Sequence, residues 1–201
     1  HLPVLGVLAR KDFQTRYKRA SLGVLWAVAV PVLQGAIVAV VFSRVARIGG
    51  DGFGAYVLAG IVAWSYFAGT LGQATTGIVD GSGLTEKVWF PRSLLVLAPA
   101  IANLVGFAAA LLVAVVAAPL LGGALGVRTL LLVPAVALLV AFTVGLSLTL
   151  SALHVYFRDV RFVVQAALLV WLYVTPVVYP KSLLDGLAGW ADLNPVTGIV
   201  E

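Results

Sequence analysis

The sequence predicts an all-α, polytopic integral membrane protein, and three observations carry that prediction. Five uncharged apolar stretches follow one another along the chain: Ala20–Ser43, Ala55–Val79, Ser93–Val127, Thr129–Leu153 and Phe162–Pro180. A bilayer core needs about 20 apolar residues per helix, a length that each stretch exceeds or approaches. The 201 residues are 62% hydrophobic and only 10% charged, against about 25% charged in soluble domains. Nearly every charge falls in the gaps between the stretches. Backbone amides in lipid must be satisfied within their own segment, so the stretches should be helices. Residues 1–201 then form one transmembrane domain. An amphipathic interface helix occupies 1–19, five spans occupy 20–180, and short outer re-entrant helices, incomplete at the end, occupy 181–201.

The charge distribution orients the spans. Six of the first nineteen residues are charged, and five of these are basic: Arg10, Lys11, Arg16, Lys18 and Arg19. With the amino terminus inside, nine Lys/Arg lie on inner segments and four on outer ones (Arg44, Arg47, Arg128, Lys181). That is the positive-inside pattern. The net charge of +5 is therefore explained by topology and does not point to nucleic acid. Methionine is absent, even at position 1, so the chain reads as a piece of a longer protein. No cleavage site of small residues follows the first stretch, which argues against a signal peptide.

Leu2–Arg19 places Leu5, Leu8 and Phe13 among basic residues, which suits a helix in the cytoplasmic interface with its arginines toward lipid phosphates. Span one carries Trp26 near its inner end, where an indole prefers the headgroup level, and an interior Pro31 that should kink it. Arg47–Gly54 (RIGGDGFG) is a glycine-rich outer turn. In span two, Tyr66, Gly69, Thr70, Gln73, Gly77 and Asp80 share one face at helical spacing. That face either packs tightly on other helices or lines a path. Span four repeats the pattern with Thr143, Ser147, Ser151 and His154, and there packing is favoured. Pro119 and Gly122–Gly123 should end the third helix, leaving Ala124–Val127 as an outer turn. After span five, Leu183, Leu184, Leu187 and Trp190 mark an amphipathic piece. Asn194-Pro195 then reads as a helix start.

Enzymatic constellations are missing. There are two histidines, His1 and His154, no cysteines, and eight scattered acids. These give no disulfide framework, no metal cluster and no nucleophile–base pair. There is no G-x-x-x-x-G-K-[ST] phosphate loop, and no acid or base lies mid-span to serve a proton- or sodium-coupled carrier. Uphill transport would have to draw its energy from a partner. Two inner loops are more informative. Between spans two and three, a helix capped by Ser82 or Asp80 should run through Glu86–Trp89 and stop at Pro91. It would present a Trp-Phe pair beside Lys87 and Arg92, either as an interfacial anchor or for docking onto a cytoplasmic partner. Between spans four and five, Arg158 and Asp159 are either solvated or shape their loop.

Taken in order, these segments resemble the membrane subunits of polysaccharide ABC exporters. That ABC type-2 superfamily includes the O-antigen, teichoic acid and mycobacterial galactan permeases. The resemblance is carried by Arg16–Trp26 (RYKRASLGVLW) with Pro31, Lys87–Arg92 (KVWFPR), Val155–Asp159 (VYFRD), Thr175–Pro180 (TPVVYP) and Leu193–Pro195 (LNP). It covers essentially the whole chain. The family has a sixth span, expected beyond the end of this sequence.

The resemblance implies a half-transporter in the bacterial inner membrane: a homodimer joined to two copies of a cytoplasmic ABC ATPase. Glu86, Lys87, Val88, Trp89, Phe90, Pro91 and Arg92 would couple to that ATPase. ATP and Mg would bind the partner, and this chain would hold no cofactor. The implied cargo is a glycan on a polyprenyl diphosphate carrier, moving along a channel lined mainly by spans one and five. A diphosphate headgroup at the inner leaflet calls for guanidinium donors, and Arg16, Lys18, Arg19, Arg158 and Arg161 are the available basic residues. Sugar rings present flat apolar faces, for which Trp171 and Tyr173 are candidate sliding surfaces with Gln34 as a polar companion; equally, these aromatics could pack in the core. The alternatives are a type-2 permease for a drug-like or lipid amphiphile, a lipid-linked transferase and a non-transporting scaffold.

Overall fold

In a computed structural model, all regular secondary structure among the described residues, which are 2–17, 21–42, 52–85, 88–124, 126–177, 179 and 196, is helical. Seven α-helices follow in order: α1 (Leu2–Tyr17), α2 (Leu25–Val40), α3 (Phe53–Asp80), α4 (Ser82–Thr85), α5 (Ser93–Ala117), α6 (Leu132–Tyr156) and α7 (Val160–Val174). The end that carries Arg10, Lys11, Arg92, Arg158 and Arg161 is called the basic end below, and the opposite one the distal end.

Three segments, Phe53–Asp80, Ser93–Leu121 and Thr129–Tyr156, are long and apolar enough to cross a bilayer. They contain α3, α5 and α6, and α3 is the central post. Its antiparallel pairing with α5 is fixed by small residues. A Cβ on Gly77 would sit 2.9 Å from the Leu95 carbonyl oxygen, and one on Gly81 would strike the Leu95 side chain. Higher up, the Tyr66 ring stacks on Phe107 with centroids 4.8 Å apart. On the α6 side, Phe67 stacks on Phe142 at 5.8 Å and meets Trp171 of α7 edge-on at 5.3 Å. Gly106 lets Ala27 of α2 approach to 3.0 Å of where its Cβ would be.

The third apolar stretch ends as its sequence predicts. α5 passes into a short 3₁₀ turn over Ala118–Leu121, and Gly122 closes it at φ +80°. That left-handed conformation favours glycine. The far side of the turn starts at Gly126, whose N–H donates to Thr129 Oγ1 at 3.2 Å.

Among the described residues, span one starts late and span five ends early relative to their apolar stretches. α2 has 16 residues and α7 has 15. At 1.5 Å per residue α7 extends about 22 Å, whereas helical conformation continues beyond α2 through Val41 and Phe42 to the edge of the described residues. α2 starts late because Ser21–Val24 form turns and Gly23 takes φ +49°. α7 stops because Pro176 disfavours helix at the residue before it, and Thr175 is extended (φ −85°, ψ 128°). Pro31 lies buried inside α2, and the helix runs on through it.

α1 fills the space beneath the short α2. Its Leu5 and Leu8 pack against Phe90, Leu94 and Leu95 at the basic end of α5. Eight residues further along both helices, Arg16 of α1 bonds Asn103 of α5. That common register, about 12 Å on each helix, runs α1 lengthwise along the basic half of α5. The expectation of a helix lying across the interface with its arginines outward therefore needs correction at Arg16, which turns into the bundle. The sequence also places a helix through Glu86–Trp89. Instead, α4 is described over Ser82–Thr85, Glu86 and Lys87 lie outside the described residues, and Val88–Pro91 is non-helical, so the helix does not reach Trp89. Lys18, Arg19 and, apart from Val196, the outer segment 181–201 also lie outside the described residues.

The polar stripe of α6 is buried, with Thr143, Ser147, Ser151 and His154 all at most 4% exposed. Its hydroxyls largely return to their own helix. Thr143 donates to the Leu139 carbonyl at 2.6 Å and Ser151 to that of Leu148 at 3.0 Å. Packing is thus the reading that holds for this stripe, with back-bonding along one helix.

Candidate functional site

The face of α3 turned toward α1, α2 and α7 carries three cavities in series. Nearest the basic end, about 570 Å³ lies between α1, α3 and α5, bordered by Asp12, Arg16, Gln73 and Asp80. A middle cavity of about 300 Å³ shares Arg16 and Gln73 with the first, and adds Trp26, Ser65, Tyr66 and Phe107. A distal groove of about 670 Å³ shares Val30, Pro31 and Ser65 with the middle one, and adds Gln34, Trp64, Tyr173 and Tyr179. Each cavity adjoins the next, so the series follows α3 from Asp80 up to Ile61.

Arg16 sits at the join between the first two cavities. Its guanidinium donates to Asn103 Oδ1 of α5, to Gln73 Oε1 of α3 and to Asp12 Oδ2 one turn back on α1. Asn103 Nδ2 in turn donates to Thr70 Oγ1 at 3.0 Å. Three helices are tied at one point by a planar group whose several donors an ammonium could not replace. The Asp12 carboxylate matches the guanidinium charge, so Arg16 is committed within the protein. Arg158 and Arg161 differ from it. Both are exposed at the turn into α7, and the Arg161 guanidinium lies 4.4 Å from the centre of the Phe162 ring.

The residues proposed for a glycan path separate in the same way. Gln34 and Tyr173 line the distal groove together, both exposed, with Tyr173 at 65%. Trp171, two residues earlier on α7, points the other way and packs edge-on against both Phe67 and Phe142. Near the end of α7, the Tyr56 hydroxyl donates to the Pro176 carbonyl. Tyr179 donates to the Tyr173 carbonyl at 2.7 Å.

The loop before α5 divides into an anchor and a presented surface. Phe90 is buried against Leu5 and Leu8 of α1, whereas Trp89 is 86% exposed. Val88 and Arg92 are also exposed, and Pro91 is half-buried. Phe90 thereby joins α1 and this loop into one surface at the basic end.

Sequence reasoning overlooked Asn103, Asp12, Trp64 and Tyr179. Asn103 had a legible signal, since it is the one amide side chain in the apolar run Ser93–Val127. Among the described residues no group of His, Asp or Glu is arranged to hold a metal ion.

The family model for ABC-2 type transporters matches residues 3–201. This chain belongs to that family. Among curated proteins it is similar to an O-antigen export system permease protein RfbA of Myxococcus xanthus, 31% identical over 200 residues, covering 96% of this chain and 75% of the relative. It is similar to a Klebsiella pneumoniae RfbA of the same description, 27% identical over 199 residues, covering 98% of this chain and 77% of the relative. As an ABC-2 type membrane subunit, the chain is a transport component whose ATPase is a separate polypeptide.

Proposed function

We propose that this chain is the permease half of an ATP-driven exporter that moves a polyprenyl-diphosphate-linked polysaccharide from the cytoplasmic to the outer side of the bacterial inner membrane. The observation that carries the reading is the match over nearly the whole chain to permeases described as O-antigen exporters. The cavity series supports it, because an amphipathic glycan suits a groove in which Gln34 and Tyr173 stand together. Two copies of the chain pair through the α2–α7 side and two ABC ATPases bind the basic end, with the amino terminus in the cytoplasm. Trp89 and its neighbours Val88 and Arg92 meet the ATPase, and Phe90 passes its movement to α1. Arg158 and Arg161 meet the carrier diphosphate at the inner leaflet, with Lys18 and Arg19 near the start of span one. Arg16 contributes by holding α1 in place.

Deleting the gene tests this. Surface polysaccharide should disappear, lipid-linked glycan should accumulate inside, and both should recover with a plasmid copy. Unchanged surface glycan combined with new sensitivity to amphiphilic drugs would replace the proposal with the drug-exporter alternative.

A further inference from the structure

The cavity nearest the basic end is a gap between two helices that are joined further along. α1 rests chiefly on α5, through Leu5 and Leu8 at one end and the Arg16–Asn103 bond at the other. It reaches α3 at Arg16, which donates to Gln73. From that bond toward the basic end, α1 and α3 part around a cleft of about 570 Å³.

The walls of this cleft carry opposite charges at matching depth. Lys11 and Asp12 line it from α1, and Asp80 lines it from α3. Asp12 is bound to Arg16. Lys11 and Asp80 are both exposed, and in this conformation they are not paired with each other. Lys11 lies five residues from Arg16 and Asp80 seven from Gln73, both toward the basic end. At 1.5 Å per residue these are offsets of about 7.5 and 10.5 Å from the shared Arg16–Gln73 bond. The two residues therefore stand within about 3 Å of the same level, on opposite walls.

We infer that Lys11 and Asp80 form a latch: α1 swings toward α3 about Arg16, the cleft closes, and the ammonium meets the carboxylate. The moving end of α1 is the one that packs on Phe90. A push on the Trp89–Phe90 loop is thus delivered far from the pivot, since Leu5 is about 16 Å along the helix from Arg16. Closure of this kind, with a packed element turning about a few residues, is a common mode of conformational change. Exposed ion pairs are weak, which suits a contact made and broken in every transport cycle. The inference takes from the reading above only that an ATPase acts on the basic end.

The chain has no cysteine, so Lys11→Cys combined with Asp80→Cys gives this subunit a single pair of thiols. In membranes holding the assembled transporter, a short thiol crosslinker is applied without nucleotide and with ATP trapped on a hydrolysis-deficient ATPase. Linked peptides, measured by mass spectrometry, should rise on trapping ATP. No linkage in either state, or no rise, overturns the latch. Co-purification of the ATPase in the same membranes separates that failure from failure of the ATPase reading. Charge exchange tests the ion pair itself. Lys11→Asp and Asp80→Lys should each lower export about fivefold, the upper scale of an exposed pair. Together they keep the net charge and should restore export. Normal export by both single variants, or no recovery in the combined one, would also overturn the latch.

Discussion

The two sides of α3 are built differently. Toward α5 and α6, glycine backbones and stacked aromatic rings pack closely, as at Gly77 against Leu95 and Phe67 against Phe142, and the space left between the three helices is only about 40 Å³. Toward α1, α2 and α7, the same helix borders three adjoining cavities. The close-packed side joins three helices that each have the length to span. The open side is shared by α2 and α7, the shorter apolar helices among the described residues, and by α1 at the basic end. A rigid post with one loosely packed face can hold its shape while the short helices move. That is the division of labour expected when domain motions are transmitted through packed elements that behave as units.

The largest effects should come from overfilling the tight side. Gly77→Val drives a branched side chain into the Leu95 backbone, which cannot yield as a side chain could. Such overpacking costs several kcal/mol, on the order of 3, and the protein should fail to accumulate in membranes. Phe67→Ala should cost about 3 kcal/mol and lower the detergent melting temperature. Accumulation of Gly77→Val at wild-type levels would show that the α3–α5 seam is looser than described.

On the open side the same scale of change should affect transport and leave folding intact. Gln34→Ala with Tyr173→Ala is expected to reduce export about tenfold, with a melting temperature within 2 °C or so of the wild type, since exposed positions seldom contribute much to stability. Trp171→Ala, two positions away, should do the reverse and destabilise first. Equal loss of stability from the Tyr173 and Trp171 variants would erase the distinction between the two faces of α7.

This contrast was only partly legible in the sequence. The three long spans could be read because 25 or more apolar residues without a break permit one structure in lipid. Pro119 and Gly122 also marked the end of α5 correctly. The late start of α2 and the early end of α7 were harder to see, because apolar residues surround the points where Gly23 and Pro176 interrupt the backbone. Hydropathy counts side chains, whereas these ends are set by φ and ψ. Arg16 was misplaced for a related reason. A basic residue next to a span suggests the headgroup region, and nothing local shows that Gln73 and Asn103, 57 and 87 residues away, will meet it.

A smaller effect should separate the two roles of Arg16. Arg16→Lys keeps the charge but loses the simultaneous bonds to Gln73 and Asn103, so α1 should become more susceptible to protease, with a stability loss of about 1 kcal/mol. Asn103→Ala should reproduce that phenotype. A headgroup role alone would lower export in the Lys variant without exposing α1. Smallest of all in stability, Trp89→Ala should leave melting unchanged while ATP hydrolysis by the assembled transporter no longer yields export. Unimpaired export would detach Trp89 from coupling.

Under the proposed function, cargo follows the open side of α3 and never the packed side. Photo-crosslinking residues placed singly at Gln34 and Tyr173, and at the exposed Leu112 of α5 and Leu138 of α6, test it directly in cells making the polysaccharide. Irradiation should yield glycan-bearing adducts from Gln34 and Tyr173, and only lipid adducts from Leu112 and Leu138. Glycan captured at Leu112 or Leu138 but not at Gln34 or Tyr173 would contradict the account.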